Sequence, residues 1–283
     1  MPTGSWFHTY AAQHRRAPPG RSSDTSTTFL VAPRFKFDDN NMLYARVASG
    51  YRPGGPNAPT AADHANGVPN AYLPDTLTDY EVGYKSSLFE HRLTLDISAF
   101  YIDWKNIQIE TIFNGISNNG NGGTALSEGF EANATLTPFN GLTLNGNLAY
   151  TEAHLTQDAP GVNGFNGDEL PNVPRWSANL SADYDFRLTD TVGAFVGGNV
   201  RYMGDRASGF VFGQRPTLPA YTTVDLRAGL DYKNLTAEVY VKNVGDTRGF
   251  NNITSLDLSG AANPWTASVI QPRTVGLSLV AKF

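Results

Sequence analysis

The chain has 283 residues, 17 % of them charged, a formal net charge of -5 and no cysteine. Disulfides and thiolate metal sites are excluded, and the cations are scattered, with no Lys/Arg block to hold a nucleic-acid backbone. No apolar run approaches the roughly 20 residues of a membrane helix, so any crossing of a membrane falls to strands.

In chain order, residues 1–27 are irregular. Met1-Pro2-Thr3-Gly4-Ser5-Trp6 lacks the basic start and apolar stretch of a secretory signal. The segment reads as a loop or an upstream remnant, the start of an exported protein being expected further upstream. From Thr28 onward the pattern has period two, which predicts about eleven strands with chemically different faces. The first strand runs to a turn at Asp38 to Asn41. Leu43, Ala45 and Val47 then mark an apolar face up to Tyr51 and a long loop from Pro53 to Thr76. A strand leads to the turn Ser87 to His91, and Leu93, Leu95, Ile97 and Ala99 carry the next toward a loop from Asn114 to Thr124. The turn Pro138 to Gly141 and the loop Gln157 to Pro171 follow. Ala178, Leu180 and Ala182 lead to the turn Leu188 to Thr191, and the next strand ends at the loop Gly204 to Pro219. Val224, Leu226, Ala228 and Leu230 alternate with Thr223, Asp225, Arg227 and Gly229. After the turn Lys233 to Asn234, Leu235, Ala237, Val239 and Val241 alternate with Thr236, Glu238, Tyr240 and Lys242, and a loop from Asp246 to Gln271 precedes the final strand.

Short turns at one end and long loops at the other are the plan of an outer-membrane barrel. A soluble β-sandwich would also alternate, its apolar face being a packed core. The aromatics argue for the barrel. In this register Tyr51, Tyr101, Tyr150, Tyr202 and Trp176 fall at the long-loop end of the apolar face, and Tyr184, Phe186, Tyr232 and Phe283 at the other. Trp176 to Phe186 spans roughly 25 Å of height, the apolar band between two aromatic girdles. The opposite face carries Arg46, Arg52, Glu81, Lys85, Asp96, Glu131, Asp183, Asp185, Arg201, Asp225, Arg227, Glu238 and Lys282, too many charges for a dry core. The expected fold is therefore all-β, an antiparallel up-and-down transmembrane β-barrel.

Catalytic chemistry finds no foothold. The five His are His8, His14, His64, His91 and His154, and only His154 sits near a strand end, with no nucleophile motif beside it. Asn118-Asn119-Gly120-Asn121-Gly122-Gly123 lacks the Lys-Ser/Thr and helix of a phosphate loop and is expected to be a flexible loop tip. No acidic spacing forms a Ca²⁺ cage, and no cofactor or metal is expected.

Several collinear segments resemble TonB-dependent outer-membrane receptors, specifically the later strands of their barrels. They are Leu43-Tyr44-Ala45-Arg46-Val47-Ala48-Ser49-Gly50-Tyr51-Arg52-Pro53-Gly54-Gly55, Leu77-Thr78-Asp79-Tyr80-Glu81-Val82-Gly83-Tyr84-Lys85-Ser86, Leu93-Thr94-Leu95 through Phe100-Tyr101-Ile102-Asp103-Trp104, Gly129-Phe130-Glu131, Val241-Lys242-Asn243-Val244-Gly245-Asp246, and Pro272 through Phe283. The resemblance implies that residues 28–283 are the C-terminal half of a 22-stranded barrel, with Thr28 opening the twelfth strand and the family's plug and energy-coupling box lying outside this sequence. It implies an outer-membrane location, a periplasmic C-terminus and long loops outside the cell. The implied activity is uptake of a scarce ligand, a ferric siderophore or similar chelate. The implied partners are membrane lipid, the barrel-assembly machinery and a TonB complex acting through the plug. A passive porin or structural barrel is the alternative. Val275, Leu277, Leu279, Ala281 and Phe283 resemble the signal read by the assembly machinery; they also fit an ordinary last strand. An anionic chelate would draw on aromatic and cationic groups, and Arg52, Trp104, Arg201, Arg206 and Arg215 are the candidates. Arg52 and Arg201 equally fit pairing with lumen acids, and Trp104 fits a rim aromatic.

Overall fold

The computed structural model describes residues 10–11, 25–57, 69–113, 116–160, 164–210, 216–255 and 265–282. Its centre is one antiparallel sheet: β1 (Leu30–Val31), β2 (Arg34–Lys36), β3 (Asn41–Arg52), β4 (Asp75–Leu88), β5 (Leu93–Lys105), β6 (Thr124–Leu136), β7 (Leu142–Leu155), β8 (Trp176–Arg187), β9 (Val192–Met203), β10 (Tyr221–Tyr232), β11 (Leu235–Lys242) and β12 (Thr274–Ala281). Each strand pairs with the next in sequence, except that β1 and β2 share the edge of β3. The twelve segments thus fill eleven positions, in agreement with the strand count read from alternation. Among the described residues β12 pairs only with β11 and the β1–β2 edge only with β3, so the sheet is a wall and not a closed ring.

The period of two places every strand's side chains on two faces. One row of direct partners on the apolar face is Val196, Ala228, Val239 and Leu277. A sandwich would bury such residues, yet Val239 is 56 % exposed, Leu277 65 % and Leu180 58 %. A continuous apolar surface of this extent is unfavourable in water and suits hydrocarbon. Aromatics gather at its two ends. Tyr150 lies 4.8 Å from Trp176 and Phe130 lies 5.8 Å from Tyr150 at the long-loop end, while Tyr184 contacts Phe186 at 5.3 Å and Phe139 at 6.1 Å at the other. Phe283 lies outside the described residues.

On the polar face, glycines sit directly opposite aromatic rings: Gly83 across from Tyr44, Gly129 from Phe100, Gly229 from Phe195 and Gly276 from Tyr240. A Cβ on Gly83, Gly229 or Gly276 would collide with the opposing ring. Each ring thereby covers a stretch of neighbouring backbone, a device that restores packing where glycine offers no side chain.

The long loops carry structure of their own. Gln108–Phe113 pairs with Ile116–Asn121, Phe250–Ser255 with Trp265–Val269, and two-residue ribbons form at Gly55–Pro56 with Ala71–Tyr72 and at Arg206–Ala207 with Thr217–Leu218. The glycine-rich Asn118 to Gly123 is therefore not a loop tip. It is largely the return strand of a ribbon, because Asn57 and Asn121 spend their side-chain amides on neighbouring backbone: Asn57 Oδ1 accepts from Asn119 N–H at 3.2 Å and its Nδ2 donates to Asn119 O at 2.9 Å, while Asn121 Nδ2 donates to Leu73 O at 2.9 Å. Near the N-terminus, Tyr10–Ala11 pairs with Thr27–Thr28.

Candidate functional site

Two surfaces bear chemistry: the polar face of the sheet and the layer of loops above its long-loop end. The loop layer has the deepest apolar cluster among the described residues. Ile107, Ala125, Ala153, Leu155, Ala159, Leu170 and Phe210 are buried together, with Trp104 packed against them. Loops built this way hold side chains in place as a domain core does.

Arg52 and Trp104 meet in that layer, the guanidinium carbon lying 5.9 Å from the indole centroid. Arg52 is already engaged. Its Nε donates to Asp75 Oδ2 at 3.0 Å, its Nη2 pairs with the same oxygen, and Nη2 also donates to Gln108 O at 3.0 Å. Asp75 is 3 % exposed and takes a further bond from Gln108 N–H at 3.1 Å. The cluster ties the tops of β3 and β4 to the ribbon that begins at Gln108.

Arg206 lies below the surface at 6 % exposed, where Nη2 donates to Phe250 O at 2.8 Å and the guanidinium stands 6.0 Å from the Tyr221 ring. It clamps two loop ribbons together. Arg215 lies outside the described residues. Arg201 differs from both: it sits on the exposed polar face of β9 and forms no ion pair among the described residues.

The polar face around Arg201 has three zones. On β3 to β5, Arg46 pairs with Asp79 at 2.5 Å and Glu81 at 2.8 Å, Tyr44 donates to Glu81 at 2.6 Å, and Lys85 pairs with Asp96. On β8 to β11, Arg227 reaches across Gly197 to Asp183 at 2.7 Å and toward Glu238 at 3.5 Å. Between them the pairing register lines up Asn133, Asn147, Asn179 and Arg201 across four strands. Asn147 Nδ2 donates to Asn133 Oδ1 at 2.6 Å, and Asn179 Oδ1 is buried without a hydrogen-bond partner among the described residues. A hollow of about 360 Å³ lies over this zone, and a second of about 730 Å³ shares Asn133 and Asn147 with it and runs on to the short-turn end. Sequence reading singled out Arg201 but passed over the asparagine row, which only strand register assembles.

One further residue escaped sequence reading as a positioning group. Asn243, 4 % exposed with φ 51°, receives Thr247 N–H on Oδ1 at 2.9 Å. It also gives Nδ2 to Thr247 O at 2.9 Å and Gln271 O at 3.0 Å, and its own N–H bonds Asp225 Oδ1 at 2.7 Å. Every side-chain amide group is used, and the loop between β11 and β12 closes on it. The Val275, Leu277, Leu279 and Ala281 series forms the apolar face of β12, with Val275 at 73 % and Leu279 at 74 % exposed.

Comparison with known proteins agrees with this architecture. A family model described as TonB dependent receptor-like, beta-barrel matches residues 5–244. The metal-pseudopaline receptor CntO of Pseudomonas aeruginosa is 32 % identical over 280 residues, covering 93 % of this chain and 36 % of the relative. The probable TonB-dependent siderophore receptor PiuA of Acinetobacter baumannii is 22 % identical, covering 85 % of this chain and 33 % of the relative. The chain thus spans about a third of the length of these relatives. Among solved structures, the ferric yersiniabactin uptake receptor FyuA of Yersinia pestis superposes over 93 % of this chain and 38 % of its own, with a TM-score of 0.77 and 23 % identity. The ferripyoverdine receptor of Pseudomonas aeruginosa does so over 92 % and 33 %, with a TM-score of 0.64 and 20 % identity.

Proposed function

Because the chain belongs to the TonB-dependent receptor β-barrel family, we propose that it is a stretch of barrel wall in an outer-membrane receptor that takes up a scarce metal chelate, a ferric siderophore or a chelate of similar kind. The observation that carries this reading is the two-faced sheet. An exposed apolar face banded by aromatics suits lipid, and the opposite face presents ion pairs, amides and the Arg201 guanidinium to a hydrated lumen. In this reading the long loops face the outside, the short turns face the periplasm, and β12 presents its alternating apolar series to the assembly machinery. The TonB complex would act through the plug that the family resemblance implies. Residues 28–283 are the barrel segment and residues 1–27 precede it.

The relatives' names speak of siderophore and metal-pseudopaline reception, which supports a chelate as the class of ligand. Uptake of radiolabelled ferric and divalent-metal chelates by iron-starved cells, with and without the protein, tests the reading. Uptake that needs both the protein and the proton-motive force is expected for the whole receptor, and none for the isolated 283-residue chain. Nonselective ion conductance by the purified chain in a planar bilayer, without any chelate-specific binding, would favour a passive pore instead.

A further inference from the structure

The apolar face of the sheet is not evenly filled. At the short-turn end of β10, β11 and β12 it carries a groove of about 410 Å³ lined by Leu230, Tyr232, Leu235, Ala237, Leu279 and Ala281. Register gives the groove its shape. Ala237 stands directly between Leu230 on β10 and Leu279 on β12, and Ala281 stands beside Leu235, so methyl groups make the floor and long side chains the walls. A strand paired to the far edge of β12 would lie two strand spacings from β11, about 10 Å, and would lengthen a wall without filling the floor. The foot of the groove is cationic. Lys233, in the turn between β10 and β11, holds its ammonium 5.2 Å from the centroid of the Tyr232 ring, which keeps the charge on the side of the sheet where that ring lies. Asp231, the acid nearest to it in sequence, accepts from Thr236 Oγ1 at 2.6 Å, and by alternation both belong to the opposite face.

An apolar trough that ends at a cation, between an aromatic girdle and the water, fits an amphiphile with an acyl chain and an anionic head. We infer that it binds one anionic glycerophospholipid, with the phosphodiester on the Lys233 ammonium and an acyl chain laid over Ala237 between Leu230 and Leu279. The inference rests on the receptor reading above only for its assignment of the apolar face to lipid. A zwitterionic phospholipid brings an ammonium of its own beside Lys233, so the site prefers a headgroup of net negative charge.

The whole protein, reconstituted in vesicles of phosphatidylglycerol and phosphatidylcholine in equal parts, supplies the test. A photoreactive benzoylphenylalanine encoded at Val239, the next residue of the apolar face along β11 from Ala237, reports the lipid in the groove. Leu277, its direct partner on β12, gives a second position should the first disturb insertion, and Leu180 on β8 reports ordinary boundary lipid. Capture of radiolabelled phosphatidylglycerol is expected to exceed that of phosphatidylcholine about fivefold at position 239, the scale of one cation at a lipid surface, with no such excess at position 180. Lys233→Gln is expected to abolish the excess, and Ala237→Leu, which fills the floor with another apolar group, to bring the ratio down to that at position 180. Lys282→Gln, on the polar side of the same end, is expected to leave the excess unchanged. Equal capture of the two lipids at position 239, the same excess at position 180, an excess that survives Lys233→Gln, or cross-linking to a second copy of the protein in place of lipid would overturn the inference. Capture of neither lipid at either position would overturn it together with the assignment of this face to the membrane, whereas equal capture of both lipids at both positions overturns the groove alone.

Discussion

Single residues set the ends of this sheet. Phe89, Glu90 and His91 follow one another with φ of 53°, 56° and 66° in the turn between β4 and β5, a left-handed run that costs non-glycine residues roughly 1–2 kcal/mol each. Glu90 is exposed, so Glu90→Gly is expected to raise stability by about 1 kcal/mol; an unchanged or lower unfolding midpoint in detergent would refute it. In the turn between β2 and β3, Asp38 accepts from Asn41 Nδ2 and from Asn40 N–H at 2.7 Å, and these bonds hold its carboxyl below the ordinary range. Asp246, in the loop before β12, is held low in the same way, first by Arg273 N–H at 3.0 Å and then by Arg248 at 2.9 Å. A carboxyl whose value is depressed by folding contributes stability above its unfolded value, and loses it as pH falls through the folded one. Amide exchange around Arg273 should therefore quicken on acidification past the ordinary carboxylate range, and Asp246→Asn should flatten that response.

Elements differ in how far local pattern determines them. The ten long strands were legible because one-residue alternation between lipid-facing and polar side chains is a local signal, and Leu226, Ala228 and Leu230 declare it without reference to neighbours. The ribbons were not legible. Gln108–Phe113 and Ile116–Asn121 read as a strand end and a flexible tip, since amide side chains that clamp a neighbouring loop look the same in sequence as amides facing solvent. Arg52 shows the consequence for function. As a ribbon anchor on the buried Asp75 it should cost about 1.4 kcal/mol when changed to Gln, half-exposure tempering a buried pair, with about tenfold faster exchange in 108–121. Arg201→Gln should leave that protection alone. Equal effects of the two would contradict the division between anchor and lumen cation.

At the scale of the whole molecule, the two faces make opposite demands on the same strand. Leu180→Arg, near the middle of β8 on the apolar face, is expected to cost about 2–4 kcal/mol in a bilayer, and Ser181→Arg on the other face about 0–1 kcal/mol. Unfolding in lipid vesicles measures both, and similar costs would reject the assignment of faces. By itself the sequence determined the strand count, the alternation of short turns and long loops, the two aromatic bands and the family resemblance, because each depends on residues adjacent or two apart in the chain. Only the tertiary structure decided which charges are satisfied. Arg46, Arg52, Arg206 and Arg227 are equivalent as letters, and so is Arg201, but register across neighbouring strands gives the first four an acid, a carbonyl or a ring and sets Arg201 beside a hollow, with no ion pair among the described residues. Pairing between strands separated by long loops is a nonlocal fact, and the sorting of charges along this wall rests on it.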